Sequence, residues 1–159
     1  MTPVSHSEPG LVDVRTVADH PLTSTGSAAL RMVTPGSATA GRFGLVEYRL
    51  DPRSRGAAPH YHQTFSESFY VLSGQVTLHV AGRWQLAGPG DFAIAHERGV
   101  HGFRNDGDEW ASFLILFAPG IAREQFFLEM AELRRSGRTL TPEEMTAFYA
   151  RHDQVMVDG

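Results

Sequence analysis

Cysteine is absent from the 159 residues. That excludes a disulfide framework, a thiolate metal site and a thiol nucleophile. No apolar run approaches the roughly 20 residues that a bilayer crossing needs. The start of the chain, Met1 to Gly10, is polar, carries Pro3 and Pro9, and lacks the basic start and apolar run of a secretory signal. The cytoplasm is therefore the expected location, with no membrane role. Positive charge is also short: 14 basic against 18 acidic residues leave a formal net charge of −4, the wrong sign for a nucleic-acid partner. Charged residues are too few, at 20%, for a disordered chain, and the 42% of hydrophobic residues suffice for one core.

What is present falls into three stretches. Residues 1–28 hold Pro9, Gly10, Pro21 and Gly26 among Ser and Thr, and read as irregular. Residues 29–118 alternate short apolar runs with turn residues, the pattern of an all-β sandwich or barrel. Strands are predicted over Phe43–Leu50, Ser68–Leu72, Gln75–Val80, Trp84–Leu86, Phe92–Ala95 and Trp110–Phe117, with turns at Asp51-Pro52, Ser73-Gly74, Ala81-Gly82 and Gly88-Pro89-Gly90. Residues 119–159 are rich in helix formers. Phe126, Phe127, Met130 and Leu133 give a broad apolar face to a helix over Ile121–Arg135. Thr141-Pro142-Glu143-Glu144 reads as an N-cap, a first-turn proline and acidic first-turn residues for a second helix ending near Arg151. This tail is part of the same domain, either covering one end of the β-structure or lying on an outer sheet face.

The chemistry concentrates in two segments. In an extended strand His60 and His62 point the same way, with Cα atoms about 6.5 to 7 Å apart. Two imidazoles at that spacing converge on one metal ion. Glu67 begins the next strand and adds an oxygen, and His101, after a tight turn, returns to the same interior as a fourth ligand. Imidazole with carboxylate suits one divalent transition metal ion: Fe, Ni, Mn, Cu, Co or Zn.

These segments resemble the two motifs of the cupin superfamily. His60-x-His62, four residues, Glu67, six residues, Gly74 fits the first motif, with Gly56 closer to His60 than is usual. Gly90, His101 and Asn105 fit the second; His96 stands in the place of a proline and Arg98 in that of a glycine, with Gly99 one place later. The resemblance implies an all-β fold: a double-stranded β-helix, or jelly-roll, barrel followed by the helical tail. Within the superfamily the chain is similar to small proteins related to quercetin 2,3-dioxygenase, through Thr34–Leu50, the Glu67–Gly74 run and the tail. That likeness implies that Glu67 is both ligand and catalytic base, taking a hydroxyl proton from a metal-bound substrate before dioxygen attacks.

Tyr48, Phe69, Val71, Phe92, Ile94 and Phe103 are read either as walls of an apolar substrate pocket or as plain core. His96 is a rim residue or an exposed turn histidine, and His79 is expected on an outer face. The excess of apolar residues in Phe43–Leu50 and Trp110–Phe117 predicts a sheet-to-sheet homodimer. The leading expectation is a metal-dependent dioxygenase acting on an aromatic, flavonoid-like or polyketide-like small molecule. The alternatives are a non-oxidative enzyme (cyclase, isomerase or decarboxylase) with the same site, and a module that only binds a small ligand.

Overall fold

A computed structural model describes residues 12–158. Among these residues eleven strands run in chain order: β1 Thr23–Ser24, β2 Ala28–Thr34, β3 Gly44–Leu50, β4 Ala57–Tyr61, β5 Ser66–Ser73, β6 Val76–Val80, β7 Arg83–Ala87, β8 Phe92–Ala95, β9 His101–Arg104, β10 Ala111–Ala118 and β11 Val155–Met156. Helices α1, Arg123–Ser136, and α2, Pro142–Arg151, lie between β10 and β11. Part of the 1–28 stretch read as irregular, and His6 with it, lies outside the described residues. Within the described part, β1 and the start of β2 occupy that stretch.

The strands form two sheets, ordered β1-β2-β3-β10-β5-β8 and β11-β4-β9-β6-β7. This corrects the expectation of a closed barrel. Closure needs an unbroken ladder around the whole circuit, and among the described residues no ladder joins one sheet to the other. The edges explain it physically. β1 and β11 are two residues long, and β7 and β8 are linked by the Gly88–Asp91 turn rather than paired. Side chains between the sheets therefore hold the two layers together.

Alternation sets what lies between them. Phe113, Ile115 and Phe117 of β10 face inward and are almost completely buried, as are Phe69 and Val71 of β5 and Val46 and Leu50 of β3. Two glycines of the motif-bearing segment are required by their backbone. Gly56 and Gly74 have φ of +57° and +70°. A Cβ on Gly56 would collide with the Phe103 carbonyl, and one on Gly74 with the carbonyl of Trp110.

The helical tail follows its sequence signals. Thr141 caps α2 by a reciprocal capping box: its hydroxyl accepts from the Glu144 amide at 3.2 Å, and the Glu144 carboxylate accepts from the Thr141 amide at 2.9 Å. After α2 the chain turns back and pairs as β11 against β4, with Met156 opposite His60. The tail thus reaches the strand that carries the first histidine. Among the described residues no helix is long and apolar enough to cross a membrane.

Candidate metal centre

His60 lies on β4, His62 just beyond its end, Glu67 on β5 and His101 on β9. Register brings them together: His60 is paired directly with His101 across the β4–β9 ladder. All four residues are buried, and one potential donor atom from each lies within 4.8 Å of the others. The ring centroids of His60 and His101 are 4.4 Å apart, and those of His60 and His62 4.9 Å.

Each imidazole is oriented from behind. The Nδ1–H of His60 donates to the Ala58 carbonyl at 2.8 Å, that of His62 to the Asp153 carbonyl at 2.6 Å, and that of His101 to the Gly99 carbonyl at 2.9 Å. A carbonyl can only accept, so Nδ1 carries the proton and Nε2 offers its lone pair to the centre. Phe65 stacks on His62 at 4.1 Å between centroids. Asp153 also clamps the loop after His62: its carboxylate accepts from the amides of Gln63 and Thr64, each at 2.9 Å, and from the Thr64 hydroxyl at 2.6 Å.

Glu67 Oε2 lies 2.8 Å from His62 Nε2 and 3.1 Å from His101 Nε2. A carboxylate oxygen facing two ring nitrogens that present lone pairs is repulsive unless a cation, proton or metal, is shared among them. The donor set therefore fits a divalent ion held by His60, His62, Glu67 and His101. Without an ion, protons take that role. Burial raises the Glu67 carboxyl, but hydrogen bonds from His101 and His62 outweigh burial and hold it well below the usual carboxylate range. Burial lowers His101, but its contact with Glu67 outweighs this and raises it. His60 lacks such a contact, and burial pulls it down to about 4.

Arg98 shows how this chain makes the turn before His101 where it departs from the motif. It takes the left-handed conformation, φ +65°, that glycine adopts freely, and its amide donates to the His62 carbonyl at 2.7 Å. Asn105 is buried and braces a loop, its side-chain amide donating to the Asp51 and Glu109 carbonyls at 3.1 and 2.7 Å. His96 is exposed. His79 is half-buried and packs edge-on against Trp84.

A cavity of about 270 Å³ opens beside the cluster, with His60 and Glu67 in its wall. Tyr48 and Phe103 line it, together with Phe117, Phe126, Phe127 and Arg123. Phe69 and Val71 are buried in the core and do not line it. Phe92 and Ile94 are 63% and 42% exposed. The reason is register: Glu67 pairs with Ala95 and Phe69 with Ala93, so the alanines of β8 face inward and Phe92 and Ile94 face out. Helix α1 walls the cavity with Arg123, Phe126, Phe127, Met130 and Arg134, so the tail borders the site. Arg123 and Asp153 are site residues that sequence reasoning missed. A signal for Arg123 existed: it precedes Phe126, Phe127 and Met130 by three, four and seven places, which sets a cation on the apolar stripe of a helix.

Residues 46–117 match the cupin domain family. The chain carries a cupin domain. Quercetin 2,3-dioxygenase of Bacillus subtilis is 31% identical over 108 residues, 68% of this chain and 31% of that protein. The chain thus spans about a third of the length of this curated relative. The polyketide cyclase RemF from Streptomyces resistomycificus is 22% identical with a TM-score of 0.59, over 69% of this chain and 80% of its own, a likeness of fold. A cupin-superfamily sugar phosphate isomerase from Silicibacter pomeroyi is 27% identical with a TM-score of 0.51, over 58% of this chain and 59% of its own. The buried three-histidine, one-glutamate cluster is typical of the metal sites of cupins, and it sits where the two sheets of this cupin domain face one another.

Proposed function

We propose that this cupin is a metal-dependent enzyme of the non-oxidative kind, an isomerase or cyclase that relocates a proton on a small oxygenated molecule. The observation that carries the reading is the placement of Glu67: one carboxylate is both a member of the ligand cluster and part of the cavity wall. His60, His62, Glu67 and His101 would hold a divalent ion, which when bound would supply Lewis-acid charge for a substrate oxygen. Glu67, ionised at neutral pH, accepts a proton from the carbon or hydroxyl next to a substrate carbonyl and returns it to a neighbouring atom, with no net oxidation. His60, His62 and His101 stay fixed through their backbone hydrogen bonds. Tyr48 and Phe103 flank the bound molecule and exclude water. The likeness to the sugar phosphate isomerase supports this assignment.

The second reading is a dioxygenase acting on a flavonoid-like or other aromatic molecule, supported by the 31% identity to quercetin 2,3-dioxygenase. There Glu67 takes a hydroxyl proton and dioxygen is the co-substrate. The proposal includes a homodimer packed through the outer face of the six-stranded sheet, where Tyr70, Leu72, Phe92 and Ile94 are exposed.

Elemental analysis and turnover test the reading together. The purified protein is expected to hold about one transition metal ion per chain, as the one ligand cluster among the described residues implies. His62→Ala and Glu67→Gln should lose most of it. Under argon in D2O, the enzyme should exchange deuterium into enolisable ketones. Full metal occupancy in both variants would refute the ligand assignment, and turnover that strictly needs oxygen would favour the dioxygenase.

A further inference from the structure

We propose that Arg123 binds a carboxylate, and that the molecule taken by this cavity is a largely apolar organic acid. The inference deepens the metal-enzyme reading by naming its substrate class, and rests on that reading for the chemistry that follows binding.

Arg123 opens α1 and is 5% exposed, yet among the described residues no carboxylate lies within 4.0 Å of its guanidinium, although six other arginines have such a partner. Its partners are neutral: Nη1 donates to the His152 carbonyl at 3.0 Å and Nη2 to the Gln154 side-chain oxygen at 3.2 Å. Its Nε is buried with no partner. A guanidinium carries five N–H donors, so those two bonds leave three N–H groups free, the Nε–H included. A buried charge without a counter-ion is costly, and in a native fold it calls for one.

The guanidinium is held in place by aromatic rings: its carbon lies 4.0 Å from the Phe126 ring centroid and 5.5 to 5.7 Å from those of Phe117, Phe65 and Phe127. Arg123 lines the cavity, and guanidinium N–H groups left unpaired there match the oxygens of a carboxylate. Arg134, one face of α1 further along, borders the same cavity and donates to the Thr25 carbonyl. Against these two cations the cavity sets Glu67, whose charge is already shared with His62 and His101. Phe103, Phe117, Phe127 and Met130 leave apolar wall for the body of the ligand. Burial brings Arg123 down to about 10, against the opposing charge of Glu67, so it remains a cation at neutral pH.

Arg123 also braces the tail through His152 and Gln154, so stability alone would not identify its role. The test is discrimination between an acid and its amide. The chelator-treated full chain is titrated by calorimetry with benzoate, phenylacetate, cinnamate and 2-naphthoate, and with their primary amides. At least one acid is expected to bind about tenfold or more tighter than its amide, the equivalent of one power of ten in Kd. That preference should weaken at high salt, vanish in Arg123→Met and return in part in Arg123→Lys. The wild-type comparison needs no variant, and thermal melting establishes whether Arg123→Met is folded. If none of the acids outbinds its amide, if folded Arg123→Met keeps the preference, or if acids bind only after metal is restored, the proposal is overturned. Because binding is read without metal, a purified protein lacking metal would sink the enzymatic reading and leave this result legible.

Discussion

Asp153→Gly separates the support of the metal centre from the centre itself. The substitution removes a carboxylate that accepts three hydrogen bonds, from the Gln63 amide, the Thr64 amide and the Thr64 hydroxyl. It keeps the backbone carbonyl that receives the His62 Nδ1–H, and glycine tolerates the φ of +51° at this position. Each bond contributes about 1 kcal/mol net, and partial exposure lets water replace some of it. Relief of the left-handed backbone at Asp153 offsets about 1 of the roughly 2 kcal/mol that remain, so the expected net loss is about 1 kcal/mol, which at this chain length lowers Tm by roughly 2 to 4 °C. The loop from Gln63 to Thr64 and the turn after α2 then hold His62 less firmly. Outright loss of an outer partner of a ligating histidine weakens metal binding by about 10- to 100-fold; here the His62 partner stays and only its support loosens, so a weakening at the low end, about 5- to 10-fold, is expected. Competition against a chromogenic chelator, with Co(II) as the ion, measures this directly. A variant that melts at the wild-type temperature and binds Co(II) within a factor of about two would refute the reasoning, since the docked tail would then contribute nothing to the site.

Acid should destabilise the chelator-treated protein. The folded His60 resists protonation down to about 4, whereas an unfolded histidine titrates near 6.5. Its contribution is complete above pH 6.5 and is lost as pH falls towards 4. Glu67, held low when folded, adds a loss of the same sign below about 4.5, the ordinary value of a glutamate, while His101, raised, works the other way. Melting curves across that range should show the fall, and His60→Asn should flatten it; an unchanged slope would count against burial as its cause. Arg98→Gly should raise Tm by about 2 to 4 °C, the equivalent of about 1 kcal/mol, by relieving a non-glycine residue at φ +65°. A lower Tm would mean that the Arg98 side chain contributes more than its backbone costs.

Local signals were legible where neighbours in sequence carry them. The capping box at Thr141, the turn at Gly88–Gly90 and the inward face of β5, with Glu67, Phe69 and Val71, follow from spacing alone. So does the meeting of His60 and His62, because alternation in a strand is set by the backbone. The position of His101 depends on pairing between β4 and β9, more than thirty residues apart in sequence, and in the sequence only the tight turn before it and the second motif pointed to it. The outward turn of Phe92 and Ile94 was invisible for the same kind of reason. An apolar residue on a short edge strand reads the same on either face until its register with β5 is known.

The amino-acid order by itself determined strands β3, β5, β6, β7, β8 and β10, the glycines their turns require and the four side chains able to hold a metal; β4 and β9, which carry His60 and His101, were not among the predicted strands. Tertiary structure decided that the sheets stay unclosed, that α1 walls the cavity, and that Asp153 and Arg123 serve a site about ninety and sixty residues before them in the chain. The physical reason is that hydrogen bonds to backbone carbonyls and the desolvation of a buried cation depend on which segments meet, and no local pattern of residue types encodes that meeting.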